Sequence, residues 1–523
     1  MQSTRMRLMA AVSLLVGWGG VNVAHAVEAP AEPAGQTKAR ERLLKAVTVD
    51  GVMKHEKALA KIAKQNDGTR ASGTPGYGAS VNYVSTQLKK AGYKVTVQPF
   101  TYRFFEETAP PTMARTAPNP ATFVVGTDFL SMEYSGGGSV AGRLVPTNDV
   151  IIPPPAVPGS TSGCEVTDFP TPPAADSVAL IQRGTCTFAQ KALNAAAAGY
   201  AAAVIFNEGQ PGREELLGGT LGAEEPIPIP VLGTTYALGK TLYDQAKTGP
   251  VTVSLSVTAE TGERTTRNVL ADSPGGRSNN VVVVGAHLDS VPEGAGINDN
   301  GSGTSTILEV ARQISRLGLS TRNKLRFAFW GAEESGLVGS TYYVANLSEK
   351  QLAQIGLNLN FDMVGSPNFV RFVYDGDGSD TPDDPDDAGP PGSDLIEEVF
   401  VDFFTRRGLA TAPTAFDGRS DYGPFIDQGI PAGGLFTGAE GIKTEAEAAI
   451  FGGKAGQPYD PCYHQACDNL GNLSHKALDQ MSDAIAYGVL WFGNREAPVA
   501  KLQAATAQAA STQLLYRGSR LQR

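Results

Sequence analysis

Apolar positions in the second half of the chain follow two alternating rhythms. Residues 281–284 are a continuous run of valine, short enough for a buried strand, followed by Gly285, Ala286, His287, Leu288 and Asp289. Ile307, Leu308, Val310, Ala311, Ile314 and Leu317 then recur at the 3.6-residue period of a helix. Residues 325–330, apolar apart from Arg326, form the next strand and lead into Gly331, Ala332, Glu333 and Glu334. Leu357, Leu359 and Phe361 alternate along a further strand that runs into Asp362. Strands alternating with helices predict an α/β fold, a mixed and mostly parallel sheet flanked by helices. Three buried strands here each end in carboxylates or a histidine. The ligand crevice of such a sheet lies outside the carboxyl ends of its strands, so these side chains should converge.

The first half is less regular. Val52, Met53, Leu59, Ile62 and Ala63 predict an amphipathic helix, a second helix is expected over 79–91, and a strand over 94–100. Residues 105–160 are rich in Pro, Gly and Thr and read as short strands and turns. A strand over 178–181, a helix over 189–198 and a strand over 201–206 then make a smaller α/β unit that should end near residue 256. Residues 27–45, rich in Ala, Pro, Glu and Lys, read as a disordered leader or pro-segment. The tail 497–523, dominated by Ala and Gln, reads as a loose and possibly removed appendage.

Composition narrows the function. The 523 residues are 41% hydrophobic and 18% charged, a globular balance that leaves room for two to four domains. A formal charge of −10 argues against a nucleic-acid partner, which calls for a basic face. Arg5 and Arg7, the apolar run 8–23 and the small residues Ala24 and Ala26 have the three-part form of a secretory signal over 1–26. That run falls short of the ~20 apolar residues of a spanning helix, so an exported chain without a membrane anchor is expected. Export permits disulfides, and four cysteines allow three connectivities. The local pairs Cys164 with Cys186 and Cys462 with Cys467 are favoured, because the long gap between them looks like a domain change; a structural zinc site is the alternative.

His287, Asp299, Glu334, Asp362 and His464 are nitrogen and oxygen donors of the kind zinc takes. Acidic residues at the ends of apolar strands are costly to bury unless paired or metal-bound. In the adjacent pair Glu333 and Glu334, one can bind metal while the other moves protons. Asp299 lies in a Gly-rich loop, 296–301, that can place a carboxylate between two ions roughly 3.5–4 Å apart.

These segments also carry a family resemblance. The motifs at 285–289, 296–303 and 330–334, with Asn360-Phe361-Asp362-Met363 and Cys462-Tyr463-His464-Gln465-Ala466-Cys467, resemble the secreted M28 zinc aminopeptidases, the bacterial leucine aminopeptidases of Streptomyces, Vibrio and Pseudomonas type. Residues 130–255 resemble a protease-associated (PA) domain inserted in that catalytic fold. The resemblance implies a catalytic domain over 46–125 and 259–496 with the insert over 126–258. It implies two zinc ions, one held by His287 and Asp362, the other by Glu334 and His464, with Asp299 bridging. Glu333 would be the general base, and Asp289 would hold the His287 ring. Tyr463 would donate to the oxyanion from a turn fixed by a Cys462–Cys467 bridge. Met363, Arg419 and Phe436 match pocket-lining positions and imply a large apolar N-terminal side chain such as Leu, although Phe436 suits core packing equally well. A monomer acting on peptides with a free N-terminus is expected.

Two rivals stand beside this reading. A co-catalytic zinc carboxypeptidase with a PA domain normally adds a helical dimerisation domain, and the short tail disfavours that branch. A non-catalytic binding relative should have lost ligands, and all are present. His55 and His475 fall in helical segments outside any motif and read as surface residues. The acidic loop 375–380 looks like a calcium loop, but Asp380 stands where that motif needs Gly, and a solvated charge run is preferred. Asn300 and Asn346 begin glycosylation sequons of a kind that recurs by chance.

Overall fold

In a computed structural model, residues 34–222, 225–381 and 388–495 are described. The expected signal segment and the tail 497–523 lie outside the described residues. The strands in chain order are β1 (Lys94–Ala117), β2 (Ala121–Thr122), β3 (Phe129–Ser131), β4 (Gly138–Pro146), β5 (Val178–Gln182), β6 (Ala202–Phe206) and β7 (Val231–Thr234). There follow β8 (Val251–Asp272), β9 (Arg277–His287), β10 (Asn323–Trp330), β11 (Ile355–Phe361), β12 (Phe372–Tyr374), β13 (Ala412–Thr414) and β14 (Ala432–Phe436). All belong to one sheet with the order β13-β12-β14-β11-β9-β10-β8-β4-β5-β6-β7-β3, and β1 pairs along β8.

The centre of the catalytic half is parallel, as its unbroken apolar strands predict. β9 lies between β10 and β11. Register puts Trp330 opposite His287 and Asn360 opposite Gly285, so the three strands stop nearly level. Whatever follows each strand therefore emerges along one edge. Helices α1 (Ala34–Ala46), α2 (Val49–Lys64), α3 (Pro75–Lys90) and the later helices Gly303–Arg316 and His475–Asn494 contribute to a single core with this sheet. Ile307, Leu308, Val310 and Ala311 are fully buried there, on the stripe that the 3.6 period predicts.

The smaller unit is also a parallel sheet, β4-β5-β6-β7, with helices on both faces. Phe188 and Ala192 of the helix Phe188–Ala197 pack on Ile181 and Ile205 on one side. Leu242 of the helix Tyr236–Thr248 packs on Val178, Leu180 and Val204 on the other. β8 joins the two units: its Val251–Val257 end pairs with β4, and its Val269–Asp272 end pairs with β10.

Three expectations give way. Residues 105–117 are not short strands and turns, because β1 continues through them against β8. Pro110 and Pro111 read as turn punctuation, yet they sit at a register irregularity, where a missing N–H is tolerated. The leader is not wholly disordered, since α1 covers Ala34–Ala46 with Leu43 completely buried in the main core and Arg40 over the Tyr487 ring. Finally, His55 is not a surface residue. It is 2% exposed, with Nδ1 2.7 Å from the Tyr83 hydroxyl and Nε2 3.1 Å from Glu309. His475 is exposed, as expected.

Because Leu43 has no solvent contact, Leu43→Ala should lower the unfolding free energy by about 2–5 kcal/mol. Urea denaturation of the two proteins measures this, and an unchanged midpoint would show α1 to be dispensable.

Candidate active site

The level ends of β9, β10 and β11 bring the predicted side chains together. His287 is the last residue of β9, Asp362 follows β11 directly, and Glu333 and Glu334 lie in the turn after β10. Asp299 sits in the irregular turn Ile297–Ser302, and His464 in the turn closed by the second disulfide. His287 Nε2 is 3.1 Å from Asp299 Oδ1 and 3.2 Å from Asp362 Oδ1. His464 Nε2 is 3.3 Å from Asp299 Oδ2 and 3.1 Å from Glu334 Oε2. Thus the two oxygens of Asp299 face two different imidazoles, each with a second carboxylate beside it. His464 and Met363 both hold left-handed backbone, at φ 55° and 50°, a conformation costing roughly 1–3 kcal/mol that persists at functional sites where surroundings enforce it.

Charge is concentrated here and, apart from His464, whose side chain is 41% exposed, little of it reaches water. His287 and Asp289 are each 1% exposed, and Glu333 is 9% exposed. Burial pushes Glu333 far above the ordinary carboxylate value; Asp421, Asp362 and Glu334 add to this, and His287 opposes it. Burial works against a proton on His287, but Asp362, Glu333, Asp289 and Asp299 outweigh it, and the ring's pKa stands well above normal. His464 is raised in the same way by Tyr463, Glu334 and Asp299. Glu334 Oε1 and Asp362 Oδ1 are buried without hydrogen-bond partners. A mixed nitrogen and oxygen donor set with unpartnered buried oxygens fits zinc.

The other expected residues fall into place unevenly. Asp289 Oδ1 lies 3.6 Å from His287 Nδ1, an ion-pair contact too long for a hydrogen bond, and accepts the Glu333 amide at 3.4 Å. The Tyr463 ring stacks on His464, and its hydroxyl accepts a hydrogen bond from Arg419 at 3.2 Å. Burial raises the Tyr463 pKa, so the hydroxyl keeps its proton. Arg419 also pairs with Glu440 at 2.7 Å. Met363 is 3% exposed, and Phe436 stacks against Phe372, so part of that ring is spent on packing. Both local cysteine pairs are disulfides.

Several supporting residues had no clear signal in the sequence. Ser420 donates to Asp362 Oδ2 at 2.6 Å and accepts from Asn360 at 2.7 Å. Arg70, completely buried, donates to the carbonyls of Leu288, Ala295 and Gly296 on either side of the Asp289 turn. Asn300 accepts from the Met363 amide and donates to the Phe361 carbonyl, spanning Asp362; buried in that role, it cannot carry a glycan. Its place beside Asp299 in the Gly-rich motif was the available hint. The acidic loop is a solvated run only in part: Asp377 and Asp380 are exposed, but Asp375 is fully buried and gathers with Asp377 and Glu397, with one oxygen from each within 4.8 Å of the others.

The insert reaches this crevice. The hydroxyl of Tyr134 is 3.0 Å from the carbonyl of Ser335, the residue after Glu334.

Comparison with known proteins agrees with this architecture. The profile of Peptidase family M28 matches residues 268–489, and that of the PA domain matches residues 140–242. The chain is 47% identical over 450 residues to an aminopeptidase of Pseudomonas aeruginosa, covering 86% of this chain and 82% of that protein. It is 42% identical over 421 residues to the probable leucine aminopeptidase 2 of Aspergillus fumigatus, covering 79% and 77%. Among solved structures, a zinc aminopeptidase from Bacillus subtilis superposes with a TM-score of 0.59 at 26% identity, covering 87% of this chain and 97% of that one.

Proposed function

Since the chain belongs to peptidase family M28 and carries a PA domain inserted in the peptidase fold, we propose that it is a secreted di-zinc aminopeptidase that releases N-terminal residues, large apolar ones such as Leu preferred, from peptides. One observation carries the two-metal part: a single carboxylate, Asp299, presents its two oxygens to two imidazoles. His287 and Asp362 would hold one zinc, Glu334 and His464 the other, and Asp299 both. Bound zinc would supply a Lewis acid and water of lowered pKa.

The remaining steps belong to the chain's own groups. Glu333 lies 3.8 Å from His287 Nε2 with no salt bridge to Lys or Arg among the described residues, free to accept the proton of the attacking water. The burial that raises its pKa also favours its protonated form, which suits it to carry that proton to the leaving amine. Tyr463 would donate its hydroxyl proton to the oxygen that gains negative charge, and stacking on His464 together with the Arg419 contact fixes its position. Asp289 would orient the His287 ring. Met363 and Phe436 would offer apolar surface to the N-terminal side chain, bordered by Arg419. Two disulfides support an exported protein, because such bonds persist in oxidising compartments. No helix among the described residues is long and apolar enough to cross a membrane. Among the described residues, calcium would suit the all-oxygen group of Asp375, Asp377 and Glu397.

The insert would roof the crevice, a reading that the Tyr134–Ser335 contact supports. Short, flexible peptides would then enter more easily than folded proteins.

Three outcomes test the proposal. Exhaustive chelation should abolish hydrolysis of aminoacyl anilides, with activity regained on adding zinc; full activity in protein shown by elemental analysis to be metal-free would refute it. Glu333→Gln keeps the side-chain shape but removes the proton acceptor. It should retain both zinc ions and lose roughly 10²–10⁴-fold in kcat with little change in KM, whereas Glu334→Gln should lose zinc as well as rate. The reverse pattern would exchange the two roles. For the roof, a peptide should be cleaved at least tenfold faster free in solution than when the same residues form the N-terminus of a tightly folded domain; equal rates would leave the crevice open.

A further inference from the structure

Asp468 follows directly on Cys467, at the end of the disulfide turn that presents Tyr463 and His464. It is 2% exposed, and no basic side chain pairs with it in an ion pair among the described residues. Its carboxylate instead grips backbone. Oδ1 accepts the amide of Asn298 at 2.8 Å, and Oδ2 accepts the amide of Asp299 at 3.0 Å. The other end of the same turn is tied to the same place. Asp460 accepts the Cys462 amide at 2.8 Å and the Asn298 side chain at 2.7 Å. Asn472 bridges the two carboxylates, donating to Asp460 at 2.8 Å and to Asp468 at 3.2 Å.

Asp299 is thus held from two directions. On one side Asn300 joins its loop to the backbone around Asp362. On the other, Asp468 joins it to the His464 turn. These are separate ties to the two halves of the site. Only a carboxylate offers two acceptor oxygens at the spacing of two neighbouring N–H groups; asparagine would keep one acceptor and turn an amino group toward the other amide. Charged acceptors also make the stronger bonds to backbone N–H.

We propose that Asp468 is a positioning residue that fixes the distance between the bridging carboxylate and His464, and so sets the affinity of the Glu334–His464 metal position alone. The proposal rests on the two-metal reading above. Removing this tie leaves Asp299 attached to the Asp362 side through Asn300, and to the His464 turn only through its neighbour Asn298 and Asp460. The His287–Asp362 position keeps its geometry while the other loosens.

Zinc titration of the full metal-free chain against a chromophoric competitor tests this in the parent and in Asp468→Asn. The expected result is two equivalents bound by both proteins, with the second weakened about 10–100-fold in the variant, the usual effect of losing a supporting group. The first equivalent and the metal-free melting temperature should hold. A variant that binds both equivalents as tightly as the parent overturns the proposal, and so does one that loses both together with its melting temperature, which marks general loosening. A parent that binds fewer than two equivalents defeats the two-metal reading itself, a distinguishable failure. A second measurement needs no variant: amide exchange in the metal-free parent should protect Asn298 and Asp299 at least tenfold over the neighbouring exposed Glu293. Exchange of those two amides at the Glu293 rate would show that the carboxylate does not hold them.

Discussion

The constraint on which the rest depends is the confinement of like charge. At one edge of an apolar sheet this chain places Asp289, Asp299, Glu333, Glu334, Asp362 and Asp421 around two imidazoles, almost all shielded from water. Repulsion among desolvated carboxylates opposes that arrangement strongly, and two histidines even when protonated do not balance it. The side chains must therefore be held by something other than their own attraction. The fold supplies it through backbone. Each acidic residue follows a strand whose hydrogen bonds and buried flanks are already fixed, or lies in a turn gripped by a neighbour such as Arg70 or Asn300. The charges are placed by a frame of backbone hydrogen bonds and buried flanks.

Polar supports lie in the strands as well as in the turns. β11 is buried along its whole length, yet two of its residues are asparagines. Asn360 earns its place by steadying Ser420 against Asp362. Buried amide and hydroxyl groups of this sort are costly if left unsatisfied, so a partner lost in one turn is felt in the next. The left-handed residues Met363 and His464 are held by different means: Met363 is buried, and His464 sits in the turn closed by the Cys462–Cys467 disulfide.

How far the sequence reveals this depends on the range of the interaction. His287 and Asp362 are legible because each ends an apolar run, and strand ends meet by topology. Glu333 and Glu334 are legible as a pair, and their separation into two environments is visible only in space. His55 misleads because Lys54, Glu56 and Lys57 surround it, a composition that normally marks a solvated helix face. In fact Glu56 is also buried, turned toward the loop at Gly301. Pro110 and Pro111 mislead because local propensity marks a turn, whereas a long partner strand absorbs them at an irregularity. Arg70 and Ser420 carry no local sign at all: what makes them matter is a carbonyl or a carboxylate far along the chain.

The strand β8 has a consequence of its own. It is the seam between peptidase and insert, paired with β10 at one end and β4 at the other. An insert hung on flexible linkers can settle at any orientation and drift over time. One sewn in by a shared strand has its position counted in residues, because pairing slips only in whole steps and each step turns the side chains to the opposite face. The position of the insert relative to the peptidase is thereby quantised, and chain length in this ribbon becomes the dimension that sets it.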